Sequence, residues 1–150
     1  MPRKRQSAKL QSQKPNHAQL DTNVLVRYLT QDDARQAAIA TRLIEQELSP
    51  TQPGFISLVV LVEVCWVLQR LYAATQDELL HTVKDLLDTA RFSVEQRQVV
   101  QEATRQMLRQ RVKVGFTDVL IVAIAKAKGC SQTVSFDKVA VRSAGMTLLV

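Results

Sequence analysis

The sequence predicts a single α/β domain, three layers deep, with a mostly parallel sheet covered by helices on both faces. Three observations carry that expectation. Short apolar runs bounded by turn residues alternate with helical stretches from about residue 17 to 150, the order that builds a parallel sheet. A hydrophobic content of 46% over 150 residues is enough for one packed core. Acidic residues recur just after the strand-like runs, where open parallel sheets place their ligand crevice.

The elements follow in order. Residues 1–16, MPRKRQSAKLQSQKPN, are rich in Lys, Arg, Gln and Ser and read as a disordered basic tail, leaving 17–150 as the folded domain. His17 to Leu20 reads as a short strand, weakened by Gln19. Asp21 or Thr22 is placed to cap a helix over Val24–Leu29, and Asp32-Asp33 repeats the signal before a helix from Ala34 to Leu48. Phe55 to Ser57 is a strand leading into an apolar helix, and Thr75 with Glu78 forms a capping box for Gln76–Asp88. Arg91–Val94 reads as a strand and Glu95–Arg111 as an amphipathic helix. Thr117-Asp118 opens a further apolar helix, which Gly129 ends. The pattern closes with a strand over Cys130–Phe136, a helix over Asp137–Ala144 and a strand over Met146–Val150.

The charge of +6 is localised. Five of the 20 bases fall in residues 1–15 with no acid among them, so the other 15 face 14 acids and the body is close to neutral. Within it, Arg91–Lys113 holds six bases against two acids, and Asp32–Asp88 nine acids against four bases. A basic stretch can hold phosphates, but on charge alone it reads as a solvated helix face. No apolar run is long enough to span a membrane and no secretory signal is visible, so a cytoplasmic protein is expected. Cys65 and Cys130 lie far apart and read as free thiols.

The stretch Phe55–Leu71, FISLVVLVEVCWVLQRL, poses one question. Between Phe55 and Leu68 only Ser57 and Glu63 are not apolar. A helix apolar all round should be buried, and a buried carboxylate is costly without a partner. Glu63 therefore calls for a cation, hydrogen-bond donors or a metal.

Asp21, Asp118 and Asp137 share its kind of address, each near the end of a strand or the start of a helix. Each of these three also fits a helix cap or first-turn acid, stabilising the macrodipole by roughly 0.3–1 kcal/mol, and Glu63 an ion pair with an arginine. Taken together, the four acids suggest a hard-cation site for Mg²⁺, with Mn²⁺ as an alternative. His17 and His81 are isolated and lack zinc spacing.

The segments LDTNVLVRYL with a following QDD, FISLVVLVEVCWVL, GFTDVLIVAIAKAKG and TVSFDK together resemble the PIN domain, and most closely the VapC toxins of bacterial toxin–antitoxin pairs. The resemblance covers about residues 18 to 150. It implies a metal-dependent ribonuclease of three-layer α/β/α fold. On the matching positions Asp21 and Asp118 would be the principal metal ligands, and Glu63 and Asp137 would complete a catalytic acidic quartet. Thr22, Asn23 and Ser135 would be the donors that fix those carboxylates. Arg105, Arg109, Lys126 and Lys128 are candidate contacts to RNA phosphates. Implied partners are an RNA substrate, a cognate antitoxin and a second copy of the chain, as a homodimer or a toxin–antitoxin hetero-oligomer. This sequence departs from the family pattern in its polar first strand (His17, Gln19), its basic tail, and the lack of an extra acid at Gly115-Phe116.

Two other readings compete. A response-regulator receiver would need paired acids after the first strand and a lysine after the fifth; here Asp21 stands alone and the chain ends at Val150. A non-catalytic PIN-like module that binds only a partner protein is the stronger alternative.

Overall fold

The computed structural model describes residues 18–110 and 114–150. The expected tail, His17 and the expected helix end at Arg111 lie outside the described residues. The elements are β1 (Ala18–Gln19), α1 (Thr22–Thr30), α2 (Ala34–Arg42), β2 (Gly54–Ile56), α3 (Leu58–Tyr72), α4 (Gln76–Asp88), β3 (Phe92–Val94), α5 (Arg97–Arg109), α6 (Phe116–Ala127), β4 (Val134–Ser135), α7 (Lys138–Ala144) and β5 (Thr147–Leu148). The alternation expected from the sequence is present, and the architecture is a three-layer α/β/α fold.

Strands β1, β2 and β3 form a parallel sheet in that order, with Gln19 paired to Phe55 and Phe55 to Ser93. Strands β4 and β5 form a separate parallel pair. The polar first strand is explained by its place: β1 is an edge strand with both residues exposed. Leu20, just after it, carries the burial, being 1% exposed with its N–H donating to the Phe55 carbonyl at 2.9 Å.

Helix boundaries follow local chemistry. Asp33 caps α2 through Gln36 N–H, and Thr75 and Glu78 form the reciprocal capping box of α4. The helix expected to run from Ala34 to Leu48 is α-helical only to Arg42 and then widens into a π-helical turn over Leu43–Glu47. The Leu48 N–H donates five residues back to Leu43 at 2.9 Å. The wide turn leaves Ile44 and Leu48 both buried. The expected strand over Cys130–Phe136 shortens to two residues because the chain is still closing α6: Cys130 N–H donates to the Ala125 carbonyl at 2.9 Å.

Gly54 is the point where the sheet meets this wide turn. A Cβ there would lie 2.7 Å from Leu48 Cδ1 and 2.8 Å from Leu20 Cδ1. The close approach of β2 to two buried leucines requires glycine.

One expectation about α3 is overturned. The helix is not buried all round: Val60, Leu61, Val64, Cys65 and Leu68 face the core, while Val59, Trp66 and Glu63 are exposed. Residues 59, 63 and 66 follow the i, i+4, i+7 spacing of one helix face. Apolar residues occur around the whole helix, but its packing buries only one stripe. Glu63 lies on the other, and its carboxylate carries no burial cost to offset. Among the described residues, no helix is long and apolar enough to cross a membrane.

Candidate active site

Helices α1 and α3 pack together and leave a cleft of about 300 Å³ between them. Its lining is Asp21, Thr22, Asn23, Val26 and Arg27 from the start and body of α1, and Glu63, Val67, Leu71 and Tyr72 from α3. Two of the four expected acids thus reach one cleft, together with two of the three expected supporting donors.

Asp21 stands at the junction of β1 and α1. Its Oδ1 accepts the Thr22 N–H at 2.8 Å, so it caps the helix as its position suggested. Its side chain remains exposed. Thr22 is the odd residue of the cleft. It is only 7% exposed, and its hydroxyl oxygen is buried with no hydrogen-bond partner among the described residues. An orphaned buried hydroxyl is costly.

Asp118 and Asp137 do not line this cleft. Asp118 is half-buried in the first turn of α6. Asp137 is the N-cap of α7 and is exposed: its Oδ1 accepts from Val139 N–H at 2.8 Å and Ala140 N–H at 3.4 Å. Ser135 Oγ in turn accepts the Asp137 N–H at 3.0 Å, a bond to the backbone before α7 rather than to the carboxylate. Among the described residues, no group of three or more His, Cys, Asp or Glu is close enough to hold a metal ion. The cleft holds Asp21 and Glu63, while Asp118 and Asp137 stand at the starts of α6 and α7.

The donors fit a hard cation in kind. Carboxylates, an amide and a hydroxyl are all oxygen ligands, and Mg²⁺ needs only one or two carboxylates when waters and a phosphate complete its shell. The unpartnered Thr22 hydroxyl beside Asp21 is the observation that favours a missing polar ligand there.

The far end of the cleft holds a charged cluster that sequence reasoning missed. Arg27 Nη1 donates to Asp32 Oδ1 at 2.9 Å and Oδ2 at 3.1 Å, and Nε donates to Gln36 Oε1 at 2.8 Å. Arg27 also reaches the Tyr72 hydroxyl at 3.4 Å, and that hydroxyl donates to Asp32. Thr30 Oγ1 donates to the same carboxylate at 2.9 Å. The Tyr72 hydroxyl, with Thr30 and the Arg27 guanidinium, holds the Asp32 carboxyl down at about 2. The Arg27 pKa is raised in return by Asp32. Asp32 was legible only as part of a cap signal; its link to Tyr72 spans 40 residues, and no local pattern announces it.

The basic residues expected to meet RNA lie elsewhere. Arg105 and Arg109 on α5 both approach Glu102, at 4.0 Å and 2.9 Å. Lys126 lines a different cleft, between α5 and α6, and Lys128 is exposed at the end of α6. His81 is a surface residue whose Nδ1 donates to the Asp77 carbonyl at 2.7 Å, as its isolation in the sequence suggested.

Residues 18–145 match the family model described as the PIN domain. That covers most of the chain, which therefore belongs to the PIN domain family. PIN domains are in general metal-dependent nucleases, and PIN nucleases bind RNA. No curated protein and no solved structure matches the chain.

Proposed function

We propose that this PIN domain is a Mg²⁺-dependent endoribonuclease acting in the cytoplasm as the toxin of a type II toxin–antitoxin pair. The single observation that carries the proposal is the family match over residues 18–145; the motif resemblance of the sequence assigns the acidic positions to Asp21, Glu63, Asp118 and Asp137. The toxin assignment rests on the motif resemblance to VapC proteins.

Asp21 and Asp118 would be the principal metal ligands, with Glu63 and Asp137 completing the set. The bound ion would make a water nucleophilic and neutralise charge developing on the phosphate. The chain's own contributions are the oxygen donors and their placement. Asp21 is fixed by its cap bond to Thr22 N–H, and its exposed carboxylate can face a ligand. Glu63, exposed on the same cleft, is the group to orient the attacking water and take its proton. Water adds to phosphorus, the bond from phosphorus to the 3′ oxygen breaks, and that oxygen leaves with a proton. The products are a 5′-phosphate and a 3′-hydroxyl.

The test is cleavage of an RNA pool across a Mg²⁺ titration, with Asp118→Asn as the control. Cleavage that rises with Mg²⁺ and is lost in that variant supports the reading. Full activity of a folded Asp118→Asn protein overturns it. Growth arrest on expression, relieved by the product of a neighbouring gene that co-purifies with the chain, would support the toxin role. A harmless active protein would count against it.

One observation favours a second reading, a non-catalytic module that binds a partner protein: among the described residues the acids do not gather as a group of three or more. Such a module shows no cleavage at any metal concentration.

A further inference from the structure

We propose that the cleft between α1 and α3 is a track for single-stranded RNA, and that Arg27 and Tyr72 hold a nucleotide next to the one being cut. The inference rests on the ribonuclease reading above and adds to it a binding subsite that the acidic motif positions do not include.

The cleft has two chemically different ends. Arg27 and Tyr72 touch at 3.4 Å at one end. Asp21 lies six residues before Arg27, roughly 9 Å along the axis of α1, and Glu63 nine residues before Tyr72, roughly 13 Å along α3. Both acids therefore lie toward the other end of the same lining. Between the ends run Val26, Val67 and the exposed Leu71. An acidic end for the reacting phosphate, an apolar floor and a cation beside an aromatic ring together match the chemistry of a strand with unstacked bases.

The far end is built rather than incidental. Arg27 is fixed through Nε and Nη1, and among the described residues no hydrogen bond uses Nη2. A planar guanidinium already held in place loses little freedom when its open edge meets a phosphate oxygen. Tyr72 is fixed by its hydroxyl, which donates to Asp32, while the residue stays 36% exposed. A ring anchored at its polar tip suits a base laid against it. The cluster ties α1 to α3 and also holds both groups in place before a ligand arrives, which lowers the ordering cost of binding.

A groove with an exposed leucine could also take an apolar peptide. The fixed cation, the anchored ring and the continuity with the acidic end favour RNA.

The experiment uses the full chain and a short fluorescent single-stranded RNA containing a mapped cleavage site. Steady-state cleavage is measured for wild type, Arg27→Gln, Tyr72→Leu and Tyr72→Phe, and the anisotropy of the same RNA is followed in the Asp118→Asn background. Arg27→Gln and Tyr72→Leu should each weaken RNA binding about tenfold, the size expected from losing one stacked base or one charged contact. The loss should fall on KM more than on kcat. Arg27→Gln should also reduce the slope of log affinity against log salt by about 0.7. Tyr72→Phe keeps the ring and should lose less than Tyr72→Leu, a difference that a role of the hydroxyl alone, which both variants lack, would erase. Unchanged KM, affinity and salt slope in folded variants, while wild type cuts normally, would overturn the inference. So would variants that keep RNA binding but no longer co-purify with a partner protein, which would assign the groove to a peptide. If wild type neither binds nor cuts RNA, it is the ribonuclease reading that fails. Should Arg27→Gln fail to fold, the Tyr72→Leu and Tyr72→Phe pair decides alone.

Discussion

The Tyr72 hydroxyl at the end of α3 donates to the Asp32 carboxylate in the turn between α1 and α2. Arg27 of α1 meets both, so one cluster ties the two cleft helices together. The Asp32 carboxyl, held at about 2 by the Tyr72 hydroxyl first and then Thr30 and Arg27, sets the pH dependence. A depressed folded pKa contributes stability that is present above the unfolded value of roughly 3.9 and lost as pH falls through the folded one. The difference in thermal midpoint between wild type and Asp32→Asn should therefore be steady from neutral pH to about 5. It should shrink between about pH 4 and 2. A difference that instead vanished near neutrality would mean the cluster does not form in solution.

Gly54 gives a packing prediction. Its absent Cβ would press on Leu48 and Leu20, both buried. Gly54→Ala should destabilise the chain by about 1–3 kcal/mol, the cost of overpacking a filled core. Urea unfolding of Gly54→Ala, Leu48→Ala and the double variant should show coupling, because the smaller residue at 48 makes room for the new methyl. Additive losses would mean the backbone moves instead.

The order of elements was legible because it rests on period and punctuation: Thr75 with Glu78, Gly129 and the apolar run before Glu63 all act locally. Burial was less legible. The sequence of α3 is apolar on every side, so nothing in its pattern tells which stripe α1 and α4 cover, and Glu63 was expected inside when it lies outside. The π-helical turn at Leu43–Glu47 likewise answers to where Leu48 must go rather than to its own residues. Of the site, the acids could be named from their positions after strands. The Arg27–Asp32–Tyr72 cluster could not, since its members come from three elements and meet only in the fold.

The two thiols should behave differently. Cys65 is buried in α3, and burial pushes its thiol up to about 12, whereas Cys130 is exposed. The thiolate is the reactive form. A chromogenic disulfide reagent at neutral pH should titrate one thiol per native chain and both in denaturant, and Cys130→Ser should remove the native reaction. Fast labelling of Cys65 would show that α3 opens from the core.

Thr22 separates the fold from the site. Its hydroxyl is buried beside Asp21 with no partner among the described residues, so in metal-free protein the group is a cost without a return. Thr22→Val keeps the shape and removes the polar atom, which should leave the metal-free thermal midpoint unchanged or raise it. With Mg²⁺ the sign should reverse. If the hydroxyl supports Asp21 or a bound water at the ion, its loss should weaken Mg²⁺ binding by about tenfold or more, the usual cost of removing an outer donor. Calorimetric Mg²⁺ titration and thermal melts with and without the ion read the two effects on one pair of proteins. A Thr22→Val protein that is markedly destabilised without metal would show that the hydroxyl has a partner in the fold. Unchanged Mg²⁺ affinity would remove Thr22 from the metal site.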